Sequence, residues 1–168
     1  MVREVITYPH PALKQQAGEI AAITPELRTL AADMVETMYE YDGIGLAAPQ
    51  VGELVRLIVV DISGPDRRED LRVFVNPRLE LVGEQVDSEE GCLSVEDYRS
   101  NVTRSSKVRV TGTDLDGKPL DYEAEGMLAI CLQHECDHLD GKLFIDRISR
   151  LKRSLYDAKV KKWNKQSR

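Results

Sequence analysis

The run His134-Glu135-Cys136-Asp137-His138 restricts this chain more than any other stretch. Two imidazoles four residues apart share one face when the backbone between them is helical, about 6 Å apart along the axis. So placed, they can grip a single metal ion, and the glutamate beside the first sits close enough to act on a water held by that ion. The run therefore predicts a helix that carries the site of a metal-dependent hydrolase. Two of the chain's three histidines fall within it. The competing reading is a surface helix with polar residues at chance spacing.

Two ligands do not complete such a site, which usually takes three from the protein and leaves one position for water. One protease class draws its third ligand from a glutamate further along, but no glutamate follows His138. Another extends the motif to a glycine and a third histidine. Gly141 stands where the glycine belongs, and Phe144 occupies the histidine's position. Asp146 and the three cysteines, Cys92, Cys131 and Cys136, remain as candidates. At about 100° per residue, Cys136 points away from the histidine face. Cys131 lies on nearly the same face as His134, but about 10 Å along the axis from His138, too far for a short side chain to share the ion. It reads as a small apolar residue packed under the site. Cys92 belongs to another element, so helix geometry leaves it open, and Asp146 stays open with it.

Two further segments stand out. Glu89-Glu90-Gly91-Cys92-Leu93-Ser94 places a glycine before a cysteine, allowing the backbone to approach a ligand closely. Gly43-Ile44-Gly45-Leu46-Ala47-Ala48-Pro49-Gln50 is so poor in bulk that its peptide groups are open to whatever lies beside it. Taken singly, these read as a buried cysteine at a strand end and a loop that ends a helix. Together with Gln133-His134-Glu135-Cys136-Asp137-His138, in this order and spacing, they resemble the three signature segments of the peptide deformylases. The similarity extends from the Tyr8-Pro9 region to about Leu151.

That resemblance implies a set of roles. Cys92, His134 and His138 would be the metal ligands and Glu135 the general base and acid. The Gln50 amide and the Leu93 N–H would face the oxyanion. Gly45 would pair with the substrate backbone, and Ile44, Ile130 and Cys131 would wall the pocket for a methionine side chain. Gly43 and Gly91 would complete the substrate-binding set. The implied reaction removes the formyl group from the N-terminal formylmethionine of nascent polypeptides. The implied metal is Fe(II) in the cell, with Ni, Co or Zn able to replace it. The chain departs from the family's usual pattern at Ser88, often a bulky apolar residue, at Glu96-Asp97 and at Cys136. These bear on the shape of the pocket and not on the ligands or the base.

Length and composition agree. A chain of 168 residues fits one catalytic domain over 1–168. With only 5% aromatic residues, aliphatic side chains must supply most of the core. No apolar run is long enough to span a membrane, no secretion signal opens the chain, and three scattered cysteines do not suggest a disulfide framework. A cytoplasmic setting is expected. The net charge of −6 divides unevenly: residues 150–168 carry eight basic side chains against Asp157 alone, +7, which leaves −13 on the remainder. This basic tail is a candidate contact for ribosomal RNA, against the plainer reading of a solvated helix. Neither membrane nor DNA is expected as a partner.

The predicted fold class is α+β, with short, mostly antiparallel strands packed around a central helix carrying the motif, and a C-terminal helix. Thr24-Pro25-Glu26 opens a first helix, with Leu27, Leu30, Met34 and Met38 on its apolar face and an end at Asp42-Gly43. Residues 55–62 and 73–75 read as strands, and 63–70 as a surface loop. Strands at 108–113 and 119–123 flank a hairpin turn at Asp114-Leu115-Asp116-Gly117-Lys118. The motif helix is expected over about 125–140, ended by Gly141, and the last helix over about 149–164. His10, between two prolines, reads as an exposed loop residue.

Overall fold

The structure, a computed structural model, describes residues 1–166. Three α-helices, α1 (Pro25–Glu40), α2 (Gly126–Leu139) and α3 (Arg150–Gln166), accompany seven strands. The strands are β1 (Gly45–Ala47), β2 (Leu57–Val60), β3 (Arg72–Leu81), β4 (Gln85–Cys92), β5 (Val95–Ser105), β6 (Lys107–Thr113) and β7 (Pro119–Glu125). They form a five-stranded sheet in the order β1-β2-β3-β6-β7 and a separate β4-β5 hairpin, and all these pairings are antiparallel.

The β1-β2-β3 side of the large sheet lies between α1 and α2, which explains why β2 reads as an unbroken apolar run. Ile58 and Val60 pack in the cluster that contains Leu128, Leu132 and Leu139 of α2. The alternate residues Leu57 and Val59 pack with Leu27, Leu30, Met34 and Met38 of α1. A strand buried on both faces has no polar face to show.

Both expected helix ends are present, with one difference. Thr24 caps α1 by accepting the Leu27 N–H, 3.2 Å. At the other end the Asp42 N–H returns to the Tyr39 carbonyl and the Gly43 N–H to the Met38 carbonyl. The left-handed residue of this closure is Asp42, φ 58°, one position before the expected glycine. Aspartate tolerates that conformation, and Gly43 is thereby free for another use. Gly141, φ 75°, ends α2 as expected, and a Cβ there would lie 2.5 Å from the Lys14 carbonyl oxygen.

The strand expected over 73–75 instead continues to Leu81. Its register with β6 shifts between Val75 and Arg78, so Pro77 sits in a bulge, where a missing N–H is tolerated. The Asn76 side chain pairs with both peptide groups of Ile20 across this bend. The β4-β5 hairpin was not among the expected elements. His10 is exposed, and its Nδ1 accepts the Ala12 N–H, 3.1 Å.

Candidate active site

Three elements converge on one cleft of about 640 Å³. The end of β4 lines it with the consecutive residues Ser88 to Cys92. One face of α2 presents Met127, Ile130, Cys131 and His134, one helical turn after another, with Glu135 beside them. The loop after α1 brings Gly43 and Ile44, the start of β1 brings Gly45, and the short 3-10 turn after β1 brings Gln50. Every residue proposed from the sequence lines this cleft except His138, which is buried behind it.

The donor atoms of Cys92, His134 and His138 all lie within 4.8 Å of one another, and they form the single such group among the described residues. The Cys92 Sγ is 3.4 Å from the His138 Nε2. Burial acts to raise the Cys92 pKa, but the two imidazoles overcome it and hold the thiol down at about 5. Burial acts to lower that of His134, and Cys92, Glu135 and Glu90 outweigh it and raise it well above the ordinary value. Electrostatically the pocket favours a thiolate facing a positive charge. A sulfur and two nitrogens so arranged fit a divalent ion of the Fe, Co, Ni or Zn kind.

Asp146, left open by the sequence, takes no part in this group. It accepts the Leu143 N–H at 2.8 Å and is paired with Arg153. Phe144, standing where one protease class has a third histidine, stacks on the His134 ring with centroids 6.2 Å apart. Cys131 and Cys136 are both buried, and burial raises the pKa of each thiol.

Around the triad each polar group has a definite station. Gln50, 2% exposed, accepts the Ala47 N–H on its Oε1. Its Nε2 faces the Ser94 Oγ at 3.1 Å and the Cys92 Sγ at 3.6 Å. Leu93 and Ser94 form the two-residue turn between β4 and β5. The N-terminal segment clamps both parts of this arrangement: the Ile6 N–H donates to the Gln50 carbonyl and the Tyr8 N–H to the Ser94 carbonyl, 2.7 Å each. Glu135 is buried, and burial raises its pKa. Its Oε1 has no hydrogen-bond partner among the described residues.

Gly45 is required by close approach. A Cβ there would lie 2.6 Å from the Glu135 Oε2 and 2.9 Å from the Cys131 Sγ. Both are side-chain rather than backbone atoms, and the carboxylate, as the end of the longer side chain, gives way more readily, so Gly45→Ala displaces Glu135. Misplacing a catalytic group by about 1 Å costs on the order of 10²-fold in rate. We expect Gly45→Ala to lose about that much kcat, with metal content and melting temperature near those of the parent. Steady-state kinetics beside elemental analysis measures both.

A charged chain behind His134 was missed in the sequence, because its members lie far apart there. The His134 Nδ1 pairs with the Glu90 Oε1, 2.8 Å, which leaves Nε2 for the metal side. Arg104 donates from Nε and Nη2 to Glu90, 2.8 and 2.7 Å, and from Nη1 to Asp137, 2.7 Å. Arg147 grips the same Asp137 with two bonds of 2.7 Å. The signal available was the glutamate two residues before Cys92, on the same face of a strand. Burial raises the Glu90 pKa, but Arg104 and His134 outweigh it and hold the carboxyl at about 2. Lying below the ordinary 4.5, this value means that the ionised group stabilises the fold above that pH and loses its contribution as pH falls toward 2. The shift corresponds to about 3 kcal/mol. Glu90→Gln should therefore flatten the acid side of the stability profile, read by urea unfolding from neutral to acid pH. It should also weaken metal binding by about 10- to 100-fold, since a partner that orients a ligand imidazole typically contributes that much.

A sequence model of the polypeptide deformylase family matches residues 2–154. The chain belongs to the peptide deformylase family. It is 48% identical over 167 residues to a peptide deformylase of Desulfosudis oleivorans, covering 99% of this chain and 96% of that one. It is 46% identical over 166 residues to one of Stutzerimonas stutzeri, covering 98% of each. The crystal structure of a peptide deformylase from Legionella pneumophila superposes with a TM-score of 0.92 at 40% identity, covering 99% of this chain and 98% of that one. As in that family, the chain is an enzyme of the hydrolase class.

Proposed function

We propose that this protein hydrolyses the formyl group from the N-terminal formylmethionine of nascent polypeptides, releasing formate. The observation that carries the reading is the buried Glu135 carboxylate, with one oxygen unpartnered, beside three converging ligand atoms in a cleft that Gln50 and Leu93 also line. Cys92, His134 and His138 would hold a divalent ion, Fe(II) in the cell, which when bound would supply a Lewis acid for the carbonyl and for water.

The protein's own groups do the rest. Glu135 takes a proton from the attacking water as the oxygen bonds to the formyl carbon. Negative charge moves to the formyl oxygen, toward which the Gln50 Nε2 and the Leu93 N–H donate. For Gln50 this exchanges the contact now made to the Cys92 sulfur, while Ser94 keeps the amide in place. One such donor is commonly worth about 3 kcal/mol of barrier. The carbon–nitrogen bond then breaks, and Glu135 delivers its proton to the leaving amine. Ile44, Ile130 and Cys131 receive the methionine side chain, and the backbone of Gly43, Gly45 and Gly91 lies open to the peptide.

Release of formate from formyl-Met-Ala by anaerobically prepared, Fe- or Ni-loaded protein tests the proposal, with casein cleavage as the control. Casein cleavage without formate release would turn the reading toward an endopeptidase.

For its partner, we propose that the basic α3 lies against ribosomal RNA in a cytoplasmic setting. Tyr156 and Val160 bury one side of α3 in the core. Lys152, Lys161, Lys162 and Lys165 are exposed and make no ion pair among the described residues. Arg168, also in the basic tail, lies outside the described residues. Reversing these four lysines to glutamate should abolish salt-sensitive co-sedimentation with ribosomes and leave formate release intact. Unchanged co-sedimentation would remove this partner. No helix among the described residues is long and apolar enough to cross a membrane.

A further inference from the structure

Behind α2, on the side away from the candidate metal centre, lies a second and larger cleft of about 970 Å³. Gln133, Cys136 and Asp137 of α2 and its C-cap Asp140 face it, a stripe adjoining the one that carries Ile130, Cys131 and His134. Its walls are rich in guanidinium groups, from Arg56, Arg78, Arg104 and Arg147, and Leu79 and Leu81 give it an apolar side.

The carboxylates around this cleft are already engaged. Asp137 accepts three bonds from Arg104 and Arg147. Asp140 accepts the Arg56 Nη1 at 3.1 Å, Glu19 is paired with Arg78, and Asp146 with Arg153. The arginines are not correspondingly satisfied, because each guanidinium offers five N–H donors. Arg56 is 6% exposed. It donates to Asp140 and, from Nη2, to the Pro77 carbonyl at 2.7 Å, but its Nε is buried with no acceptor among the described residues. Arg147 is exposed, and its Nη1 makes no hydrogen bond among the described residues, so it is open to solvent at the rim of the cleft. A buried donor is seldom left without an acceptor, and the Arg56 Nε lies beside an apolar wall.

We propose that this rear cleft is a binding site for a small organic anion, a carboxylate or phosphate monoester on a short apolar body. The oxyanion head takes the spare donors of Arg56 and Arg147, for which planar guanidinium groups are well matched. The body lies along Leu79 and Leu81. The site is separate from the hydrolytic cleft and does not depend on the reaction assigned to it.

Zn-loaded, isotopically labelled protein titrated with hexanoate, hexyl phosphate and hexanol tests this by NMR. Saturable shifts of the Arg56 Nε–Hε and the Ser105 N–H are expected with one or both anions, and the tighter of the two identifies the head group. Hexanol should bind far more weakly. Arg56→Lys, which keeps the charge but loses the fork, should weaken the anion by about tenfold, the equivalent of one charge-assisted hydrogen bond. Arg147→Lys, at an exposed position, serves the same comparison should Arg56→Lys not fold. The proposal is overturned by the absence of saturable shifts, by shifts confined to Gly45 and Leu93 in the front cleft, or by equal binding of hexanol. Affinity unchanged by the substitutions would overturn it as well.

Discussion

Replacing Glu135 with glutamine lowers kcat for formate release by about 10²- to 10⁴-fold, the usual worth of a positioned acid–base group, and leaves metal content unchanged. The amide has nearly the same shape as the carboxylate, so the close packing against Gly45 persists. What is lost is a group that can accept a proton from water and return it to the amine. Because the carboxyl is buried, its pKa stands above the ordinary glutamate value. The working form is the ionised one, so activity of the parent should fall on the acid side and recover as the carboxyl ionises, burial moving that limb up in pH and the charge of a bound cation moving it down. In Glu135→Gln the residual rate should show no such acid limb. A variant that retains both its rate and the acid limb would remove Glu135 from the proton-transfer role. Loss of metal along with activity would instead assign it a structural part.

The parts of the fold legible beforehand are those whose signals are local. Thr24 and Pro25 mark the start of α1 within a few residues, and the turn at Asp114–Lys118 separates two strands that do pair. The spacing of His134 and His138 requires the helix that carries them. The β4-β5 hairpin was hidden because its exposed face is built from Asp87, Glu89, Glu96 and Asp97, residues that strands normally disfavour. Its stability comes from elsewhere in the chain: Val95 and Val102 pack with Phe144 and Tyr156. The site divides in the same way. Both imidazoles and Glu135 are visible as a pattern within one helix. The sulfur comes from a different element, and residue chemistry alone left Asp146 beside it until the family resemblance favoured Cys92. Of the Glu90-Arg104-Asp137-Arg147 chain only Glu90 left a local signal, since Arg104 joins partners 14 and 33 residues away and any of the arginines could have met any of the acids.

Cys92→Ala should weaken metal binding by more than the roughly 10- to 100-fold associated with residues that only orient a ligand. The reason lies in how unequal the three thiols are. Burial raises the pKa of Cys131 and Cys136, keeping both neutral at physiological pH, and a neutral thiol is a poor ligand. Cys92 is half-buried, and His138 and His134 hold it at about 5, so the sulfur is already an anion at neutral pH and the proton expelled on binding a cation comes from His134 instead. Removing it leaves two imidazoles, one still oriented by Glu90, and leaves Gln50 anchored through Ser94. The fold should therefore survive while the cation is lost. Elemental analysis of protein purified without oxygen should find metal in Cys131→Ala and Cys136→Ala and little in Cys92→Ala. Retention of metal and activity by Cys92→Ala would mean that a different atom holds the third corner. A neutral side chain there would also leave the positive charge favoured at His134 without the anion that now faces it.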